Sequence, residues 1–332
     1  MRRAVTVALA LVLAGVSSVP LAAYLKLGSR VGSSTITLKW TRMPIRYFVS
    51  NRAAESVTVQ QFESTIARAF ATWDAVPSAT PSSESAGITQ ANPTLGDGLT
   101  VLGFQNRPDQ ERVLGATSFL IDTVSGEIVE SDIFFNSAFP WSTAGGGETG
   151  RFDLESIALH EIGHLHGLGH SALGETELRA GGRRVLGAES VMFPIAFSAG
   201  STDGRTLKAD DIAGISDIYP SPDFKRQTGS ISGKVTKNGQ GLLGVHVVAF
   251  NPRTGHLVGG FTLNESGGFV LAGIEPGPQV LRVEPLDDGD IESFFDASLD
   301  IDLDFKVKFH EKLVVVPRGG GVSNIEVKVV AK

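Results

Sequence analysis

The chain has 332 residues, 42% of them hydrophobic and 20% charged, with a net charge of −7 and no cysteine. This is the composition of a globular protein of about two domains; it excludes disulfides, thiolate metal sites and cysteine nucleophiles, and gives no basic surface for nucleic acid. Any metal must be held by His, Asp or Glu. At the N-terminus Arg2 and Arg3 precede an apolar run from Ala4 to Val16, followed by Ser17, Ser18 and Pro20. Residues 1–25 therefore read as a secretory signal peptide, with Leu21, Ala22 and Ala23 as a cleavage site. Apolar residues resume as far as Leu25, so an uncleaved membrane anchor is the alternative, and the only route to membrane contact. The expected location is secreted or periplasmic; an exported chain without cysteine fits bacterial export.

Thr35 to Val49 alternates as a strand, a break at Pro44 and a second strand. Thr58 to Ala75 reads as an amphipathic helix, with Phe62, Ile66, Ala69, Phe70 and Trp73 on one face. Pro77 to Pro93, rich in Ser, Thr, Ala and Pro, reads as a loop. Strand signals follow at Leu99 to Phe104, Val113 to Leu120 and Gly126 to Phe135, giving a small twisted sheet. After the Gly-rich stretch Ser142 to Gly150, Asp153 with Ser156 starts a helix through Leu154, Ile157, Ala158 and Ile162. Its apolar face is expected on the sheet and its histidines in a cleft.

That helix carries the chemistry. Residues 160–170 read His-Glu-Ile-Gly-His-Leu-His-Gly-Leu-Gly-His. A four-residue step on a helix is about 400° of rotation and about 6 Å of rise, so His160 and His164 share one face and can reach one ion. Glu161, about 100° away, is placed to meet a water on that ion as a general base. Gly167 ends the helix and lets His170 supply a third nitrogen. Three protein ligands and an open fourth position make a catalytic zinc site. His166 lies about 200° from His164 and points away from the metal.

With this motif the chain resembles the metzincin metalloproteases, and Ser171 directly after His170 resembles the matrixin branch. The segment Glu189 to Pro194 resembles the turn that sets a methionine beneath the zinc, which gives Met192 that role. Leu207 to Tyr219 resembles the C-terminal helix of matrixin catalytic domains, Ala69 to Trp73 the first helix, and Leu114 to Phe119 the edge strand along which the peptide substrate lies. The resemblance covers residues 30–222. It implies an α+β metzincin-like domain with a small, twisted, mostly parallel sheet, long helices and zinc in a cleft.

The departures are specific. No histidine precedes His160, so the second, structural zinc of animal matrixins is expected to be absent in its usual form. With no cysteine, and no room expected for a prodomain before Thr35, latency is expected to come from elsewhere or to be missing. Calcium is common in the family; here the loops Leu95 to Gly98 and Thr143 to Gly150 are its candidate sites. The stretch Ser171 to Val191, including Gly181 to Arg184, is longer than the family's usual connection and is expected as a surface loop near the cleft. Ala196 stands where the specificity-pocket wall usually carries an aromatic.

After Tyr219 and Pro220 the composition changes. Residues 223–229 read as a linker and 230–332 as all-β, with strands at Ile231 to Val235, Val245 to Phe250, Leu257 to Thr262, Phe269 to Leu271, Gln279 to Val283, Leu313 to Val316 and Val322 to Val330. Seven such strands suggest a β-sandwich. Gly233, Gly244, Gly267 and the run Gly273 to Gly277 resemble carboxypeptidase regulatory-like domains, which implies a transthyretin-like sandwich with no catalytic residues of its own. His246, His256 and His310 are expected to be structural or exposed. The C-terminal domain could bind a surface or another protein.

The function expected is a secreted zinc-dependent endopeptidase acting on protein or peptide substrates. His160, His164 and His170 bind one zinc, and Glu161 is the base. A binding or adhesion protein with a structural metal site, and a hydrolase of small amides, are the alternatives. An intact Glu161 argues against the first, since a structural site needs no base.

Overall fold

The structure, a computed structural model, describes residues 26–31, 34–180 and 182–332. The expected signal or anchor segment, residues 1–25, lies outside the described residues. Among those described, no helix is long and apolar enough to cross a membrane.

The chain enters as a hairpin, β1 (Gly28–Val31) with β2 (Ser34–Thr37), and continues as β3 (Ile45–Ser50). Helix α1 (Val59–Asp74) begins at a capping box, in which the Thr58 side chain accepts from Gln61 N–H and the Gln61 side chain accepts from Thr58 N–H. The face expected from its spacing is the buried one, with Phe62, Ile66, Ala69, Phe70 and Trp73 all in the core. Phe70 stacks on Tyr47 at 4.0 Å, and Trp73 Nε1 donates to Leu159 O at 2.9 Å. Each buried ring of this size removes about 150–250 Å² from water, worth about 4–6 kcal/mol as an upper estimate.

The stretch expected as a loop between Pro77 and Pro93 instead contains β4 (Ser83–Thr89), paired in parallel with β3. It is an edge strand with one partner and a half-exposed, polar sequence, so it shows neither the apolar run nor the clean alternation that marks a strand. Next come β5 (Val101–Gln105), β6 (Gly115–Ile121) and β7 (Ile128–Asn136). The sheet order is β4-β3-β5-β7-β6, parallel except for β6 against β7, which leaves β6 as the other edge. Two short strands, β8 (Trp141–Ser142) and β9 (Phe152–Asp153), lead into α2 (Leu154–Leu165), whose N-cap Asp153 accepts from Ser156 N–H at 2.9 Å. Gly167, at φ +99°, turns the chain out of the helix as expected.

The segment expected as a surface loop after His170 is a hairpin, β10 (Gly174–Arg179) with β11 (Gly182–Ala188). Helix α3 (Ala209–Ile218) follows, and the expected linker includes a helical turn, α4 (Phe224–Gln227), that buries Phe224.

Beyond it the structure is β-rich. One sheet contains β12 (Gly229–Lys237), β13 (Gln240–Gly241), β16 (Gly268–Ile274) and β20 (Gly321–Val329). The other contains β14 (His246–Phe250), β15 (Leu257–Phe261), β17 (Gly277–Glu284), β18 (Lys308–Phe309) and β19 (Val314–Val316). All seven expected strands are present, and β13 and β18 are the two-residue additions.

The two halves of the chain share apolar packing. A single core cluster runs from Phe62 and Trp73 through Ala213 and Ile215 to Ile274 and Leu281. A Cβ on Gly273, at φ +70°, would come within 2.8 Å of Ala213 Cβ, so α3 lies against that turn of the β-rich half.

Candidate metal centre

Helix α2 brings His160 and His164 together as the spacing predicts, and the turn after Gly167 returns His170 to them. Their ring centroids are 4.7 Å (His160 to His164), 4.7 Å (His164 to His170) and 5.3 Å (His160 to His170) apart. One nitrogen from each lies within 4.8 Å of the others, and all three residues are buried.

The outward nitrogens fix the tautomers. His160 Nδ1 lies 2.7 Å from Val191 O, His164 Nδ1 2.8 Å from Leu168 O, and His170 Nδ1 2.6 Å from Ser293 O. A carbonyl oxygen can only accept, so each Nδ1 carries the proton and donates it. Each Nε2 then presents a lone pair. Burial keeps the rings neutral, pushing His160 down to about 3 and His170 to about 4, with His164 well below its usual value. His160 Nε2 has no partner, and His164 Nε2 and His170 Nε2 stand 3.2 Å apart with no proton to share. Three converging lone pairs without a donor are the arrangement that a cation satisfies, and neutral imidazole suits zinc.

Glu161 is fully buried on the same helix. Thr117 Oγ1, on the edge strand β6, donates to Glu161 Oε2 at 2.7 Å, while Oε1 has no partner. Burial raises this carboxyl to about 8. A bound cation would pull the value back down. A Cβ on Gly115 would meet Glu161 Cγ and Oε1 at 3.2 Å, so glycine keeps that strand close to the acid.

Met192 is buried against α2. A Cβ on Gly163 would fall 2.3 Å from Met192 Sδ and 2.9 Å from Trp73 Cζ2, so the absence of a side chain at 163 is what lets the methionine approach. The turn carrying it is held by Asp211, which accepts from Ser190 Oγ at 2.6 Å, Val191 N–H at 2.9 Å and Met192 N–H at 3.3 Å. Neighbouring Asp210 accepts from Ser171 Oγ at 2.7 Å and from Gly259 N–H at 2.9 Å. Its carboxyl is pushed up to about 7 by burial and by the charge of Asp211.

His166 points away from the triad, as the helix angle requires. It lies in the core with ring centroids 6.0–6.3 Å from Tyr219, Trp73 and Phe70, and burial pushes it down to about 3. Of the C-terminal histidines, His246 is buried on Glu284 and His256 is half exposed on Glu275. Neither joins a metal cluster among the described residues.

An apolar pocket opens beside His160, with Ile157, Val191, Ile195, Ala196 and Phe197 in its wall. The two loops expected to hold calcium differ. Near Leu95 to Gly98, Gly96 and Gly98 donate to Glu130, Asp132 Oδ2 is buried without a partner, and burial, with Glu130 and Asp97 close by, raises Asp132 to about 7. In the other loop the carbonyls of Ala144 and Gly145 accept from the Arg205 guanidinium, which also pairs with Asp153.

Thr117, Asp210, Asp211 and Ser293 all touch the site or its supports, and none was singled out by sequence spacing. Ser171 and the segments around Asp211 carried a signal only as parts of longer motifs. Ser293 carried none, because its contribution is a main-chain carbonyl, which every residue has.

Comparison with known proteins agrees with this geometry. A family model described as Matrixin matches residues 39–220. Metalloendoproteinase 1 of Glycine max is 33% identical over 175 residues, 48% of this chain and 45% of that protein. Karilysin of Tannerella forsythia is 25% identical over 234 residues, 69% of this chain and 43% of that protein. Metalloendoproteinase 1-MMP of Arabidopsis thaliana is 28% identical over 219 residues, 60% of this chain and 50% of that protein. The chain thus spans half or less of the length of these relatives.

Proposed function

Since the matched residues make up more than half of its length, the chain belongs to the matrixin family of zinc metalloproteases, and we propose that it is an exported zinc-dependent endopeptidase. His160, His164 and His170 would hold the ion, a reading supported by the three buried Nε2 lone pairs that converge without a donor. Zinc bound there supplies a Lewis acid for the scissile carbonyl and a lowered pKa for water.

The chain's own residues do the rest. Glu161 takes the proton of the attacking water on Oε1, the oxygen left without a partner, and hands it to the leaving amine. Thr117 holds the other carboxylate oxygen and so fixes the direction in which Oε1 points. An extended peptide would pair with the free edge of β6, which uses main-chain hydrogen bonds and is indifferent to most side chains. Selectivity would come from the apolar pocket beside His160. Calcium, as a further ligand, would fit the Glu130 and Asp132 corner, where a buried carboxylate oxygen has no partner, better than the loop held by Arg205. Export is supported by Arg2, Arg3 and the apolar run after them. The β-rich half is read as a β-sandwich of the carboxypeptidase regulatory-like kind, a module suited to binding a surface or another protein.

The single observation that carries this reading is the full histidine triad with Glu161 beside it. Its test is hydrolysis of casein by the purified protein. Glu161→Ala should lower the rate by about 10²–10⁴-fold while the zinc content stays at one per chain, and a chelator should abolish activity. Hydrolysis that survives both treatments overturns the proposal.

A further inference from the structure

Of the three carbonyls that receive the histidine Nδ1 protons, two belong to residues close to the metal helix and one does not. Leu168 follows α2 directly, and Val191 sits in the turn that carries Met192. Ser293 is 123 residues from His170, in the β-rich half. We propose that this half completes the metal centre: the Ser293 carbonyl orients His170, so that zinc binding and docking of the turn around Ser293 strengthen one another. The inference rests on reading His160, His164 and His170 as the ligands.

The turn is built to hold its carbonyl still. Ile291–Ser293 forms one 3₁₀ turn, in which Ser293 N–H donates to Asp290 O and Phe294 N–H and Phe295 N–H both donate to Ile291 O, each at 2.9 Å. Phe294 presents a near-perpendicular ring to His170 with centroids 6.2 Å apart. Phe294 and Phe295 are buried with Phe261, Leu286 and Ile301, and the same cluster includes Ala172, two residues beyond His170. At the next position along the interface, Thr176 N–H donates to Asp288 Oδ1 at 2.7 Å and Thr176 Oγ1 to Asp288 O at 3.0 Å. A third tie is Gly259 N–H on Asp210, whose other oxygen takes the hydroxyl of Ser171. These contacts fasten the chain immediately after His170, at Ser171, Ala172 and Thr176, to the β-rich half.

The physical consequence concerns orientation. An imidazole without an acceptor on Nδ1 can rotate about its side-chain bonds and take either tautomer, and only one of these aims a lone pair at the ion. Loss of such an outer partner commonly weakens metal affinity 10- to 100-fold. The effect must also run backwards, since zinc that favours the docked turn stabilises that turn by the same factor. A side-chain substitution at Ser293 leaves the carbonyl in place, so the turn itself has to be changed.

The test uses the full chain. Residues 291–295 are replaced by five Gly and Ser residues, and zinc affinity is measured by competition with a chromogenic chelator. Lys328→Ala, which removes an exposed ion pair with Glu326 on β20, outside that apolar cluster, serves as the control. The replacement should bind zinc 10- to 100-fold more weakly than the unmodified protein, and the control should match it. Independently of whether the replaced chain folds, zinc added to the unmodified protein should slow hydrogen exchange at 293–295 more than at the hairpin turn 251–255, at the opposite end of β14 and β15 from Phe261. An affinity within twofold of the unmodified protein, or exchange at 293–295 that ignores zinc, overturns the inference and leaves the ligand assignment standing. If the unmodified protein binds no zinc through the triad, the ligand assignment fails and this inference with it.

Discussion

The two flanks of the histidine triad are built in different ways. On one flank, α2 and the turn carrying Met192 use residues whose identity is individually required: glycine at 163 for close approach, and the carboxylate of Asp211 to gather four donors. On the other flank, the polar groups that the β-rich half gives to His170 and Asp210 are backbone, the Ser293 carbonyl and the Gly259 N–H, seated by the apolar side chains of Phe294 and Phe295. The lesson is that a site can depend on a distant segment through a main-chain group that every residue carries. Side-chain chemistry writes itself into a motif, whereas main-chain chemistry does not.

The strongest way to sharpen the comparison is at Asp210, where the two flanks meet. Its carboxyl is raised from 3.8 to about 7 in the folded protein. An acid raised in this way keeps its full contribution below its unfolded value, and that contribution is lost as pH rises from about 4 through about 7, because the unfolded chain ionises first. Asp210→Asn cannot ionise and should therefore escape the loss. Its stability relative to the unmodified protein should climb across this window, by up to a few kcal/mol at the top. Thermal melts of both proteins at pH 4, 5.5 and 7.5 read this directly. A difference that stays flat, or that falls with pH, would mean that Asp210 is held as a carboxylate by its donors and that the tie to Gly259 is an ionic one.

A smaller effect is expected on the local flank. Gly163→Ala gains up to about 1 kcal/mol of helix propensity, but the new methyl overlaps Met192 Sδ and Trp73 Cζ2 in a packed interior, which typically costs about 1–3 kcal/mol. The net should be a loss of up to about 2 kcal/mol of unfolding free energy, seen as a lower urea midpoint, with Met192 displaced. A stabilised variant would show that the methionine does not rest on α2, and would remove the main distinction between the flanks.

How much could be read beforehand follows from the same contrast. The helices at 59–74 and 154–165 were legible because their apolar residues recur at helical spacing and Thr58 and Asp153 cap them. The triad was legible because ligand spacing on a helix is fixed by 3.6 residues per turn. The strand Ser83–Thr89 was hidden by its polar, half-exposed residues, since an edge strand draws its pairing from the main chain. The hairpin between His170 and Met192 was hidden for a related reason, as its strands carry several arginines and glutamates and bury little apart from Val185. The individual strands of the C-terminal half were visible in its β-branched runs. That this half reaches the metal centre was not, because no pattern within residues 284–296 records what their backbone touches.

The most direct measurement of the central claim is zinc-edge X-ray absorption on the purified protein and on His170→Ala. The account predicts three imidazole nitrogens at about 2.0–2.1 Å in the unmodified protein and two in the variant. A spectrum with the same imidazole count in both, or one without imidazole, would contradict it.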